Sequence, residues 1–204
     1  MAKIERVDYQ AMPGQANEMR GYGKQLNSEI TKVYASVGEL HNSWYGIRYN
    51  ELVKAFNNMI PKLNELLTLV VTDVPYALET IANNYSLADR GMKATTASNE
   101  APNKITNLTI TNDVGMKFLT NNVLEVQKSI STNFTNAKDL MIRIESVYAK
   151  ISWQSEAAET FKAQFTKLKN DIVASFENVN TQFVKLIQQT EQDIQNAENA
   201  NTVN

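Results

Sequence analysis

His41 is the single histidine in a chain of 204 residues that has no cysteine. Those two facts narrow the available chemistry. Without cysteine there is no thiolate catalysis, no disulfide and no cysteine metal site. Metal binding through Glu-x-x-His pairs needs histidines that the chain lacks. A Ser-His-Asp triad would have to be built on His41, which stands beside Asn42, Ser43, Trp44 and Tyr45 in a turn. A phosphotransfer helical domain also uses one histidine, but mid-helix, with Lys and Gly one turn later. His41 instead lies at a helix end. No enzyme activity, cofactor or metal is therefore expected. Tyr85 and Asp89 stand at i, i+4 spacing on one helix face. By composition alone that pair reads as an ordinary surface contact.

Trp44 and Trp153 are the only tryptophans, and each sits at a short break between two long amphipathic runs. The first break reads Asn42-Ser43-Trp44-Tyr45-Gly46; the second reads Ile151-Ser152-Trp153-Gln154-Ser155. Laying Trp153 over Trp44, an offset of 109 (153 − 44), needs no gap from there onward. Leu52 falls on Phe161, Phe56 on Phe165, Leu63 on Ile172, Val74 on Phe183 and Leu78 on Ile187. Tyr85 falls on Ile194, and Asp89 on Glu198. This pattern predicts an internal duplication.

Four stripes must position the two turns. The first runs Met19, Tyr22, Leu26, Ile30, Val33, Val37, Leu40 and Trp44, in steps of three and four. That spacing places them on one helix face. Asp8 as N-cap, or Pro13 in the first turn, marks the start, and Gly38 with His41-Asn42-Ser43 marks the end. The second runs from Leu52 through Phe56, Leu63, Val70 and Val74 to Tyr85. Pro61 and Pro75 interrupt it, but its period continues, predicting one long bent helix closed by Gly91. Asn112 or Asp113 caps the third, Leu119 to Ile151. Ser155 caps the fourth, Phe161 to Ala197. Each stripe needs a partner, which predicts an all-α fold: two tandem helical hairpins packed antiparallel as an elongated four-helix bundle.

Residues 91–111, with Pro102 and interleaved Thr, read as a linker between hairpin 1 (1–90) and hairpin 2 (112–204). An antiparallel arrangement puts Gly91 and Asn112 at opposite ends. The linker is then an ordered, extended crossover, with Ile105, Leu108 and Ile110 touching the helices. Residues 91–111 reach about 70 Å at roughly 3.3 Å each.

The net charge of −2, with both signs interspersed, gives no basic stripe for nucleic acid. No run approaches 18 apolar residues, so no transmembrane segment is expected. The N-terminus, Met-Ala-Lys-Ile-Glu-Arg-Val-Asp, lacks the apolar core of an ordinary secretory signal.

The order helix, Trp-x-Gly turn, long helix, Tyr-x-x-x-Asp/Glu resembles the WXG superfamily, small proteins similar to the early secreted antigenic target. Trp44-Tyr45-Gly46 and Tyr85-Ser86-Leu87-Ala88-Asp89 carry the whole pattern. The second repeat departs from it, with Ser155 for Gly and Ile194 for Tyr, though Glu198 keeps the acid. The resemblance covers nearly the whole chain apart from the linker. It implies manufacture in the cytoplasm and export through a type VII secretion system, whose ATPase would be a partner. A long-helix toxin effector would be another. The protein would be secreted or held at the cell envelope. It further implies a composite export signal in which the turn of one hairpin lies beside the tyrosine motif of the other. Trp153 would then approach Tyr85 and Asp89, and Trp44 would approach Ile194 and Glu198. Fusion of both hairpins implies a pseudo-dimeric monomer. The rival readings are a helical toxin component acting on membranes and a cytosolic helical adaptor.

Overall fold

In the computed structural model, which describes residues 7–151, 153 and 155–201, the first stripe folds as helix α1, Met12–Leu40. Ala11 is its N-cap and Pro13 sits in the first turn, where a missing N–H costs nothing. Asp8 acts one step earlier, its Oδ1 accepting from the Ala11 N–H at 3.3 Å. Met19, Leu26, Ile30, Val33, Val37 and Leu40 are all buried. Gly38 lies within the helix, and His41 forms the C-cap.

The expected single bent second helix is broken into segments. After the two-residue strand β1, Trp44–Tyr45, come α2, Ile47–Asn57, α3, Ile60–Thr68, a π-helical turn, Leu69–Asp73, and α4, Val74–Arg90. The prolines are the cause. Each lacks an N–H and takes a place in the first turn of a new helix, Pro61 in α3 and Pro75 in α4. Before Pro61 the Met59 N–H reaches only to the Phe56 carbonyl, at 3.1 Å, a tightened turn. Before Pro75 the chain opens into the π turn, and Arg20 Nε donates to the Val71 carbonyl at 3.3 Å. Gly91 then closes α4 with φ of +70°, the left-handed stop that glycine adopts without strain.

The linker is extended and runs back along the helices it has just left. The Thr95 N–H donates to Asn83 Oδ1 at 2.9 Å, and the Ser98 N–H donates to Glu79 Oε2 at 2.8 Å. Further on, three asparagines each clasp one linker residue through both amide atoms. Asn64 holds Ile105, at 2.9 Å for both bonds. Asn57 holds Leu108, at 3.0 and 2.8 Å. Asn50 holds Thr111, at 2.7 and 3.1 Å. Seven helical residues rise about 10.5 Å and three extended residues span about 10 Å, so the two spacings match. Residues 105, 108 and 111 therefore step along α3 and α2 toward β1. Ile105 is buried and Leu108 packs on the core, but Ile110 is exposed. Inward positions recur every third residue, which turns Ile110 outward.

Asn112 and Asp113 cap no helix. The chain turns at Gly115 (φ +107°), and Lys117–Phe118 forms β2, antiparallel to β1, with Phe118 opposite Trp44. Helix α5, Thr120–Lys150, starts only after that pairing. Helix α6, Glu156–Asn201, is the longest.

α1 and α5 run antiparallel. Asn122 Nδ2 donates to Ser43 Oγ at 3.3 Å, Asn136 Nδ2 to Glu29 Oε2 at 3.2 Å, and Gln15 Nε2 to the Lys150 carbonyl at 2.8 Å. α6 runs against α2 and α3, with Arg48 Nε 3.2 Å from Asp193, Lys62 Nζ 2.9 Å from Asp171, and Gln164 Nε2 3.2 Å from Glu65. A single hydrophobic core draws side chains from all six α-helices. Trp44 follows the end of α1, and Trp153 follows the end of α5, at the opposite pole. Among the described residues, no helix is long and apolar enough to cross a membrane.

Candidate functional site

At the first turn Trp44 is 1% exposed. Its indole stacks on Phe183, with centroids 5.8 Å apart and planes at 14°. Phe118 approaches it edge-on at 5.6 Å, and Tyr49 at 6.4 Å. Gly46 makes the turn possible with φ of +116°, a conformation other residues avoid. Its carbonyl accepts from the Asn50 N–H at 3.2 Å, and the Ser43 carbonyl accepts from the Leu119 N–H at 2.9 Å. His41 Nε2 lies 2.7 Å from Asp113 Oδ2, and its ring is flanked by Tyr45 and Tyr49. The Thr111 hydroxyl and the His41 ring hold the Asp113 carboxyl below the usual carboxylate range. His41 thus has a structural place at the helix end, tying α1 to the incoming linker.

The second turn is built differently. Ser155 stands where the first has Gly46, and its Oγ accepts from the Ala158 N–H at 3.1 Å. That is a serine N-cap, as the sequence suggests. Its carbonyl accepts from the Glu159 N–H at 3.1 Å, repeating the Gly46–Asn50 bond 109 residues later. Trp153 is only partly buried. It lines a cavity of about 180 Å³ together with Val74, Leu78, Tyr148, Ala158 and Phe161. Burial raises the pKa of the Tyr148 hydroxyl, which has no hydrogen-bond partner among the described residues. Ser152 and Gln154, also part of this motif, lie outside the described residues.

Trp153 lines a cavity with Val74 and Leu78 of α4, and Tyr85 is seven residues beyond Leu78, about 10 Å along the axis. Asp89 is exposed and accepts a hydrogen bond from the Tyr9 hydroxyl. Arg90 Nε lies 3.6 Å from Asp89, and the Arg90 guanidinium sits over the Tyr9 ring at 5.9 Å. A tyrosine therefore does meet Asp89, but it comes from the segment before α1. Tyr85 itself is half-buried. At the other pole Trp44 stacks on Phe183, eleven residues before Ile194, or about 16 Å. Ile194 is half-buried and Glu198 exposed, and Thr190 is the last buried residue described on α6.

Several residues that shape the sites escaped the sequence reading. Phe118 covers Trp44 from β2, a pairing with no local signal. Asn50, Asn57 and Asn64 recur every seventh residue, a pattern visible once the linker is seen to be extended. Arg20 and Glu79 form a buried ion pair at 2.9 Å, and Glu79 also holds Ser98 of the linker. No family model matches this chain, and no curated protein or solved structure does either.

Proposed function

We propose that this chain is a non-catalytic tandem WXG protein, a secreted substrate or export partner of a type VII secretion system. In this reading its two hairpins pack antiparallel as an elongated four-helix bundle, so that one polypeptide supplies both halves of a dimer. One observation carries it. Trp44 stacks on Phe183, and Trp153 lines one cavity with Val74, the residue 109 positions before Phe183. Reciprocal placements of that kind are what a two-fold pairing of like units produces. Fusion keeps the two halves at high effective concentration.

Export is supported by the sequence resemblance and by the exposure of Asp89 near the end of α4. Tyr85 and Asp89 are the proposed export signal, read by the secretion ATPase, with a long-helix toxin effector as a possible cargo companion. The test compares culture supernatants of cells with and without the ATPase of the system. The chain accumulates outside only when the ATPase is present; equal amounts in both cultures would refute export. A Y85A/D89A variant keeps its melting temperature to within a few degrees and loses secretion, which separates a signal from a packing role.

A further inference from the structure

The two tryptophan turns align position by position, yet among the described residues rings surround the first and a cavity adjoins the second. Three rings surround Trp44: Phe183, Tyr49 and Phe118. At the offset of 109 residues, Phe183 corresponds to Val74 and Tyr49 to Ala158. Both of these smaller residues line the cavity of about 180 Å³ beside Trp153. Phe161, which stands where the first half has Leu52, takes back only part of the space. The third ring, Phe118, arrives on the extended segment β2, hydrogen-bonded beside Trp44.

The cavity is of a size to hold one ring, since apolar cavities near 150 Å³ accept benzene. Its walls set aromatic and aliphatic side chains beside polar groups. One of these, the Tyr148 hydroxyl, in a residue 7% exposed, has no partner among the described residues. A buried donor left in that state costs free energy until an acceptor arrives. Glu159 and Lys162 also line the cavity, one of each sign, so shape rather than charge sets its selectivity.

We propose that this cavity is a docking site for an aromatic side chain of a partner protein, presented on an extended segment. The filled pole of the same molecule shows the occupied form: the incoming ring stands to Trp153 as Phe118 stands to Trp44. Tyr148 donates its hydroxyl proton to a carbonyl of that segment. This inference rests on the correspondence of the two halves and not on export, so a failed secretion assay leaves it standing.

The full chain, labelled with ¹³C at valine and alanine methyls, is titrated with N-acetyl-phenylalaninamide and, as control, N-acetyl-alaninamide. The phenylalanine probe is expected to shift the Val74 and Ala158 methyls and the Trp153 indole N–H saturably. Its dissociation constant should be on the order of millimolar, as suits a single side chain's contacts. The Trp44 indole N–H stays in place. V74F, which restores the ring found at the other pole, weakens the probe at least tenfold. If V74F fails to fold, A158L fills the cavity from the α6 side and is expected to do the same. Absence of saturable shifts, equal response to the alanine control, or unchanged binding in the filled variant would overturn the proposal.

Discussion

Lys62 Nζ lies 2.9 Å from Asp171 Oδ2, and the two residues are separated by 109 positions (171 − 62), the offset that lays Trp153 over Trp44. A contact between corresponding residues sits where an approximate two-fold axis would pass. The charges there are opposite. Two copies of the first half would set Lys against Lys, and two copies of the second Asp against Asp, so the pair favours unlike halves.

Its energetic weight is small, because the side chains are 49% and 38% exposed. K62D is expected to lower stability by no more than about 1 kcal/mol. K62D/D171K should recover the loss, and high salt should shrink the difference. Urea unfolding at two ionic strengths reads all three. A loss that the swapped pair does not recover would mean that the charges are incidental.

The asparagine ladder gives a sharper test. Asn57 makes two bonds to Leu108, one donated and one accepted. N57A leaves both linker groups unpaired and is expected to cost about 1–3 kcal/mol. Hydrogen exchange at the Leu108 amide should quicken by more than exchange in α1. N57D keeps the acceptor for the Leu108 N–H but loses the donor to its carbonyl, so it should fall between the two.

Two glycines of α1 predict opposite signs. A Cβ on Gly23 would stand 2.7 Å from Val71 Cγ2 and 3.0 Å from Val70 Cγ2, whereas a Cβ on Gly21 meets nothing within 4 Å. Alanine is the better helix former by about 1 kcal/mol, so G21A should stabilise by roughly that amount. G23A should destabilise by about 1–3 kcal/mol, because the π-helical turn cannot withdraw without breaking its packing. Thermal melts of the two variants decide it.

Arg20 and Glu79 are buried, with side chains 8% and 4% exposed. Arg20 also reaches the Val71 and Ser98 carbonyls. Removing one partner strands a buried charge, so E79Q and R20M are each expected to cost about 3–5 kcal/mol. R20M/E79L should cost less than the sum of the single variants, and a double-mutant cycle measures the shortfall.

Acid should loosen the linker contact at the Trp44 pole once pH falls below the usual carboxylate range. The Asp113 carboxyl is held low, by the Thr111 hydroxyl and then by the His41 ring. A depressed folded-state pKa contributes stability above the unfolded value, and that contribution is lost as pH falls through the folded one. Wild type and D113N should therefore differ near neutrality and converge below the carboxylate range, as followed by the melting temperature against pH.

The helical stripes were legible because apolar spacing of three and four residues admits one face only. Val70, Phe176 and Phe183, for example, are buried as that spacing demands. The break at each tryptophan and the Ser155 cap were legible for equally local reasons. The breaks at Pro61 and Pro75 were not, since the apolar period runs through both and conceals the change in backbone. The start of α5 was misplaced because the pairing of Phe118 with Trp44 joins segments more than seventy residues apart. The place of one hairpin's turn along the other hairpin is set by side-chain packing between helices, which no local pattern encodes; Asp89, for instance, meets Tyr9 from the segment before α1.

The central claim is that one chain folds its two turns to opposite poles. Because the chain contains no cysteine, I47C and E156C can carry unique spin labels at exposed, corresponding positions. Electron–electron distance measurement on the monomer should give a single population near 45 Å, about the length of the 29-residue α1 that separates the poles. A population centred below about 25 Å, far short of a helix of that length, would place both turns together and contradict the account.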